Sequence, residues 1–161
     1  MTSTETDLAV QVYSIYIKAK PEAIWEAITQ PEWTEQYLYG SRAVYDLRPG
    51  GSYRSYGLAG QDGDTAYVDG EVIEVDPPRR LVQTWRALWD PTVVAEGFTK
   101  LTWEIEETST GATRLTVTHE LTGAPSMAAM VAGRVPNAGG GWSESLSGLK
   151  TLLETGGSLW K

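Results

Sequence analysis

The one histidine of the chain, His119, sits in the alternating stretch ATRLTVTHEL, where Leu115, Val117 and Leu121 share its parity. Strand alternation therefore turns its imidazole toward the covered face, where it could orient a ligand or move a proton. A hydrogen-bonded core histidine is the competing reading. Glycines 139–141, in VPNAGGGWSES, could cradle a phosphate, but that chemistry needs a preceding strand and a Lys followed by Ser or Thr. Neither is present, so the glycines read as a joint leading into a helix. The acidic stretch QDGDTAYVDGE has the composition of a calcium loop but not its spacing or its final Glu, and it reads as a solvated hairpin. Metal ligands are not expected. His119 is the sole candidate for catalysis, and no catalytic set can be assigned from spacing.

The remaining signal is aromatic. The chain has 7 Trp, 8 Tyr and 1 Phe, a mix suited to surfaces that are part apolar and part wet. Trp85, Trp89 and Trp103 share strand parity with Leu81, Leu101 and Ile105 and so face inward. With Trp33, Tyr37 and Trp142 they are candidate walls of a pocket, although each taken singly also suits plain core packing. Met127 and Met130 lie in GAPSMAAMVAGRVPN, just before the glycines. Residues 124–141 thus read as a mobile flap over the pocket mouth, with a merely loose connection as the alternative.

The elements that must position these residues follow from periodicity. AVQVYSIYIKA reads as a strand, with Tyr13, Ile15, Ile17 and Ala19 on one face. Pro21 and Pro31 each open a short helix, the first striped by Ile24, Trp25 and Ile28. From residue 42 to 121 the period is two, broken by RPGG, DPPR and TSTG, which predicts six strands in an antiparallel meander. Trp142, Leu146, Leu149 and Leu153 then recur at helical spacing. They predict a helix from about residue 141 to 155, roughly 22 Å long, closed by Gly156.

Composition bounds the rest. With 161 residues the expectation is a single domain, 1–161, with residues 1–8 disordered. The net charge of −8 argues against nucleic acid and anionic membranes as partners. There is no cysteine, no basic and apolar leader and no long apolar run, so a cytoplasmic protein is expected.

Four stretches in this order carry a resemblance: KAKPEAIWEAITQPEWTEQYL, DLRPGGSYR, GEVIEVDPPRRLVQTW and GWSESLSGLKTLLE. They resemble the homologues of the activator of the heat-shock-protein-90 ATPase, in the START-like (SRPBCC) superfamily. The resemblance covers about residues 10 to 156. It implies an α+β helix-grip fold, in which a curved antiparallel sheet of about seven strands surrounds a long C-terminal helix, with two short helices after the first strand. It also implies a deep cavity between sheet and helix. In the superfamily such cavities hold lipids, hormones or polyketides, but the fold implies no single activity.

The leading expectation is a non-enzymatic protein binding a small hydrophobic or aromatic molecule, with no cofactor. Its candidate contacts are Trp33, Tyr37, Trp85, Trp89, Trp103, His119, Met127, Met130 and Trp142. One alternative is a cyclase or hydratase that uses His119 as acid or base in the same cavity. Another is an adaptor resembling the chaperone activators, acting through the acidic surface. A homodimer stays open as a partner state, and a chaperone partner is the less favoured option.

Overall fold

The structure, a computed structural model, describes residues 8–57 and 63–159. The disorder expected at the N-terminus therefore lies almost wholly outside the described residues, and the acidic hairpin partly so. Twelve elements follow one another: β1 (Val10–Ile17), α1 (Pro21–Thr29), α2 (Pro31–Thr34), β2 (Arg42–Tyr45), β3 (Ser52–Tyr56), β4 (Ala66–Asp76), β5 (Arg80–Ala87), α3 (Pro91–Glu96), β6 (Thr99–Glu107), β7 (Thr113–Glu120), α4 (Pro125–Val131) and α5 (Gly141–Thr155). The strands form one antiparallel sheet in the order β1-β7-β6-β5-β4-β3-β2. This is the α+β helix-grip arrangement, with the meander and the terminal helix where periodicity puts them.

α3 is the element that periodicity passes over, because its six residues are too short for a stripe. Its signal is local instead. The Asp90 carboxylate accepts from the Thr92 backbone N–H at 2.7 Å, and Pro91 occupies the first helical position.

The sheet is not flat. Its register shifts between Ser55 and Tyr56 against β4, and between Val72 and Glu74 against β5. Such shifts bend the strands and deepen the twist. Gly70 lies between them, where a Cβ would stand 2.0 Å from the Thr84 carbonyl oxygen. Only glycine lets β5 come that close at the bend.

The concave face grips α5. Leu146, Leu149 and Leu152 on the helix are buried in one core with Ile17, Leu81, Leu101, Leu115 and Val117 from the sheet, and with Ile24 and Ile28 from α1. A side chain as fully buried as Leu149 stabilises the fold by about 2 kcal/mol relative to its exposed state. Gly156, at φ 77, ends the helix in the left-handed conformation. The carboxylates of Glu104 and Glu120 lie on the opposite, wet face, paired with Arg80 and Lys100.

Candidate functional site

Toward the N-terminal end of α5 the core gives way to a cavity of about 640 Å³. Strands β2 to β6 supply one wall, and α4, α5 and the segment after α2 supply the other. Among the described residues no Asp, Glu, Lys, Arg or His lines it. The lining is aromatic and aliphatic, with a few hydroxyls.

One end is built of indoles. Trp103 on β6 and Trp142 on α5 meet edge to face, with ring centres 5.4 Å apart. Behind them lies His119, fully buried. The Trp142 indole N–H donates to His119 Nδ1 at 3.1 Å, and an indole can only donate. Nδ1 is therefore the bare nitrogen, so Nε2 carries the proton and donates to Thr99 Oγ1 at 2.8 Å. The Thr99 hydroxyl in turn donates to the Trp85 carbonyl at 2.9 Å. The chain is closed at both ends. Desolvation pushes the His119 pKa down to about 3, so the ring stays neutral at ordinary pH. A neutral imidazole with both nitrogens engaged, standing behind the cavity wall, holds Trp142 in place and has no lone pair to offer a substrate. For the acid–base role foreseen for His119, this geometry offers no route.

The other end is built of phenols. Tyr45 on β2 and Tyr53 on β3 stack at 4.6 Å between ring centres, and Ser55 and Tyr67 line the wall beside them. Tyr45 Oη lies 2.6 Å from Gln83 Oε1, and the Trp103 indole N–H reaches the same oxygen at 3.3 Å. Burial raises the Tyr53 pKa to about 12 and that of Tyr45 as well, so both stay protonated.

The cover over the cavity is α4 and the run up to α5. Two backbone N–H groups at its start, those of Ser126 and Met127, donate to the two Glu96 carboxylate oxygens at 2.9 and 3.1 Å. At its end, a Cβ on Gly141 would stand 2.1 Å from the Val131 carbonyl oxygen, and one on Gly133 would stand 2.7 Å from that of Gly140. The glycines, read from sequence as a hinge, thus have a packing reason: backbone meets backbone where α4 ends and α5 begins. Tyr39 closes the rim. Its hydroxyl donates to Glu144 Oε1 at 2.7 Å, and the same oxygen accepts the Gly140 N–H at 2.9 Å.

Of the residues singled out from sequence, the structure places Trp85, Trp103, Met127, Met130 and Trp142 in the lining, with Trp89 at the exposed rim. Three fall elsewhere. Trp33 turns back on α1, its indole N–H 3.3 Å from Glu26 Oε1, because α2 is a single turn that ends before it reaches the cavity. Tyr37 is buried and donates to the Ala27 carbonyl at 2.8 Å, pinning the segment after α2 to α1. His119 is behind the wall, as described. Sequence reading passed over the phenol end, although SYRSYG carries its signal. Tyr53 and Ser55 share parity there, and the bend in β3 and β4 turns that parity toward the cavity.

An open cavity gripped between a curved sheet and a C-terminal helix defines a START-like protein. The family model described as Activator of Hsp90 ATPase homolog 1-like protein matches residues 18–154, and the chain belongs to that family. Among solved structures the chain is similar to CV1439 from Chromobacterium violaceum, at 26% identity and a TM-score of 0.64 over 90% of this chain and 97% of that one. It is also similar to DynU16, a protein of the dynemicin biosynthetic locus, at 22% identity and a TM-score of 0.63 over 93% of this chain and 49% of that one. A third is PFC0360w, an HSP90 activator from Plasmodium falciparum, at 22% identity and a TM-score of 0.55 over 70% of this chain and 73% of that one. The last two likenesses carry the fold alone. No curated protein matches the chain. Among the described residues no helix is long and apolar enough to cross a membrane, and no group of His, Asp or Glu could hold a metal ion.

Proposed function

We propose that this protein binds a small apolar, ring-bearing molecule in the cavity between its sheet and α5, without transforming it. The observation that carries the reading is the cavity of about 640 Å³ faced by Trp85, Trp103 and Trp142, with no ionisable acid or base other than phenols among its described lining residues. Such a volume suits a molecule of several fused rings, and indole faces and edges match flat apolar surfaces. The enzyme reading would need a group able to take or give a proton at neutral pH. His119 is withheld from that task, and the phenols are held protonated. The adaptor reading would be favoured by a filled cavity, and this one is open.

Pyrene is a suitable probe, because it absorbs where tryptophan emits. Titration should quench tryptophan emission and raise pyrene emission by energy transfer. The expected dissociation constant is micromolar, about −8 kcal/mol. Trp103→Ala should weaken binding at least about tenfold while the protein stays folded by circular dichroism. No energy transfer from tens of micromolar protein to pyrene held below its aqueous solubility would overturn the reading.

A further inference from the structure

The hydrogen bonds at the phenol end fix which protons are committed, and so which ligand group fits there. The Trp103 indole can only donate, so the Gln83 atom facing it is the amide oxygen. Tyr45 faces that same oxygen at 2.6 Å and must also donate to it. The Tyr45 proton is thereby committed, and its oxygen is left as an acceptor. Tyr53 is different. Its ring packs on that of Tyr45, and it lines the cavity together with Ser55. Between them Tyr53 and Ser55 own two hydroxyl protons, and a bond between the two would use only one. One proton remains to be donated. The stacked pair of rings therefore sets an acceptor beside a donor at one end of an otherwise apolar cavity.

We propose that Tyr45, together with Tyr53 and Ser55, is a recognition site for an uncharged hydroxyl group on the ring-bearing ligand. This inference rests on the reading of the cavity as a ligand site. A hydroxyl donates to Tyr45 Oη and accepts from the Tyr53–Ser55 pair, so both of its roles are met. A carboxylate has no proton for Tyr45, and it sets its charge against phenol lone pairs with no Lys or Arg among the described lining residues. Burial acts in the same direction, since the surroundings that hold both tyrosines protonated also disfavour a ligand anion. A bare hydrocarbon binds, but leaves the end unpaired. The selected class is the neutral hydroxylated polycycle.

The test uses pyrene, 1-hydroxypyrene and pyrene-1-carboxylate at neutral pH, where the phenol is uncharged and the acid ionised. Affinities are read by energy transfer from tryptophan. 1-Hydroxypyrene should bind about fivefold more tightly than pyrene, as one net hydrogen bond gives, and the carboxylate more weakly than pyrene. Tyr45→Phe and Tyr53→Phe should each bring the ratio of 1-hydroxypyrene to pyrene affinity close to one, whatever they do to pyrene affinity itself. Should Tyr45→Phe fail to fold, because it strips a partner from buried Gln83, Tyr53→Phe and the ranking on the unmodified protein still decide. Equal affinities across the series, or a carboxylate that binds best, would overturn the hydroxyl site and leave the cavity reading intact. Failure of all three compounds to bind would overturn both.

Discussion

At one end of the cavity Trp142 gives its N–H to His119, which gives its own proton to Thr99, which gives its proton to the Trp85 carbonyl. At the other end Tyr45 gives its proton to Gln83 but keeps an oxygen that can accept, and Tyr53 and Ser55 beside it bring hydroxyl protons to the cavity lining. Both ends are aromatic and polar-tipped, and both are largely buried. They differ in whether the hydrogen-bond ledger closes inside the protein. A closed chain rigidifies its members and offers a ligand only flat surface. An open one offers a direction. Polar residue type alone therefore says little about function: the one histidine, chemically the most versatile group in the chain, has both ring nitrogens engaged inside the protein, while on the reading proposed above two ordinary tyrosines carry the recognition.

The sharpest way to break the indole end is through the backbone that seats Trp142. Gly141→Ala adds a Cβ 2.1 Å from the Val131 carbonyl oxygen, at a residue whose φ is +66. Neither the clash nor the left-handed backbone can relax without parting α4 from α5. A loss of about 3 kcal/mol or more is expected, read as a lower thermal midpoint together with loss of pyrene binding. An alanine that left the midpoint unchanged would restore the hinge reading, under which alanines only stiffen the joint.

A smaller effect separates the ends by pH. His119 has a folded pKa of about 3, below its unfolded value of 6.5. Below pH 6.5 the unfolded chain takes up a proton that the folded chain refuses. Stability is thus fully present above pH 6.5 and lost as pH falls toward 3, by about 1 kcal/mol per pH unit. Carboxylates add their own acid sensitivity, chiefly below their ordinary pKa, so the decisive quantity is a difference. His119→Ala should be less stable at pH 7 by about 3 kcal/mol, through the cavity it leaves and the unpaired Trp142 N–H. That deficit should shrink steadily between pH 6.5 and 4 in chemical denaturation. A deficit independent of pH would mean that the imidazole is protonated in the fold. Tyr45→Phe should show no pH trend in the same window.

The sheet, the terminal helix and the inward parity of Trp85, Trp103 and His119 were legible in sequence, because alternation and helical spacing are local signals. The role of His119 was not. Parity says that a side chain points inward, but not that an indole 23 residues later occupies its only acceptor nitrogen. The phenol end was missed for a related reason. Tyr45 and Tyr53 lie across a turn from one another, and only the bent register of β3 and β4 shows that their faces share a cavity. Gly141 misled in the opposite sense, since a run of glycines signals freedom or close approach equally well until the opposing backbone is seen. Trp33 failed because the helix that Pro31 opens is a single turn, which leaves the indole against Glu26 of α1 and not in the cavity.

The smallest expected effect lies at the rim between the two ends, where Tyr39 meets Glu144. This contact ties the segment after α2 to the first turn of α5, and the same carboxylate oxygen holds the Gly140 N–H. Tyr39 keeps a positive φ of 55, a conformation that a non-glycine residue adopts only when its surroundings hold it there. Because the residue is only half-buried, water can replace the lost hydroxyl, and Tyr39→Phe should cost less than about 1 kcal/mol of stability. Its consequence should be kinetic. Loosening the rim lowers the barrier for entry and exit alike, so association and dissociation of pyrene should both accelerate severalfold while the affinity stays within about twofold. Stopped-flow energy transfer resolves the two rates. If affinity falls while the dissociation rate alone rises, Tyr39 contacts the bound molecule and belongs to the recognition end. If neither rate moves, the ligand enters elsewhere, and the exposed side of Trp89 becomes the route to examine.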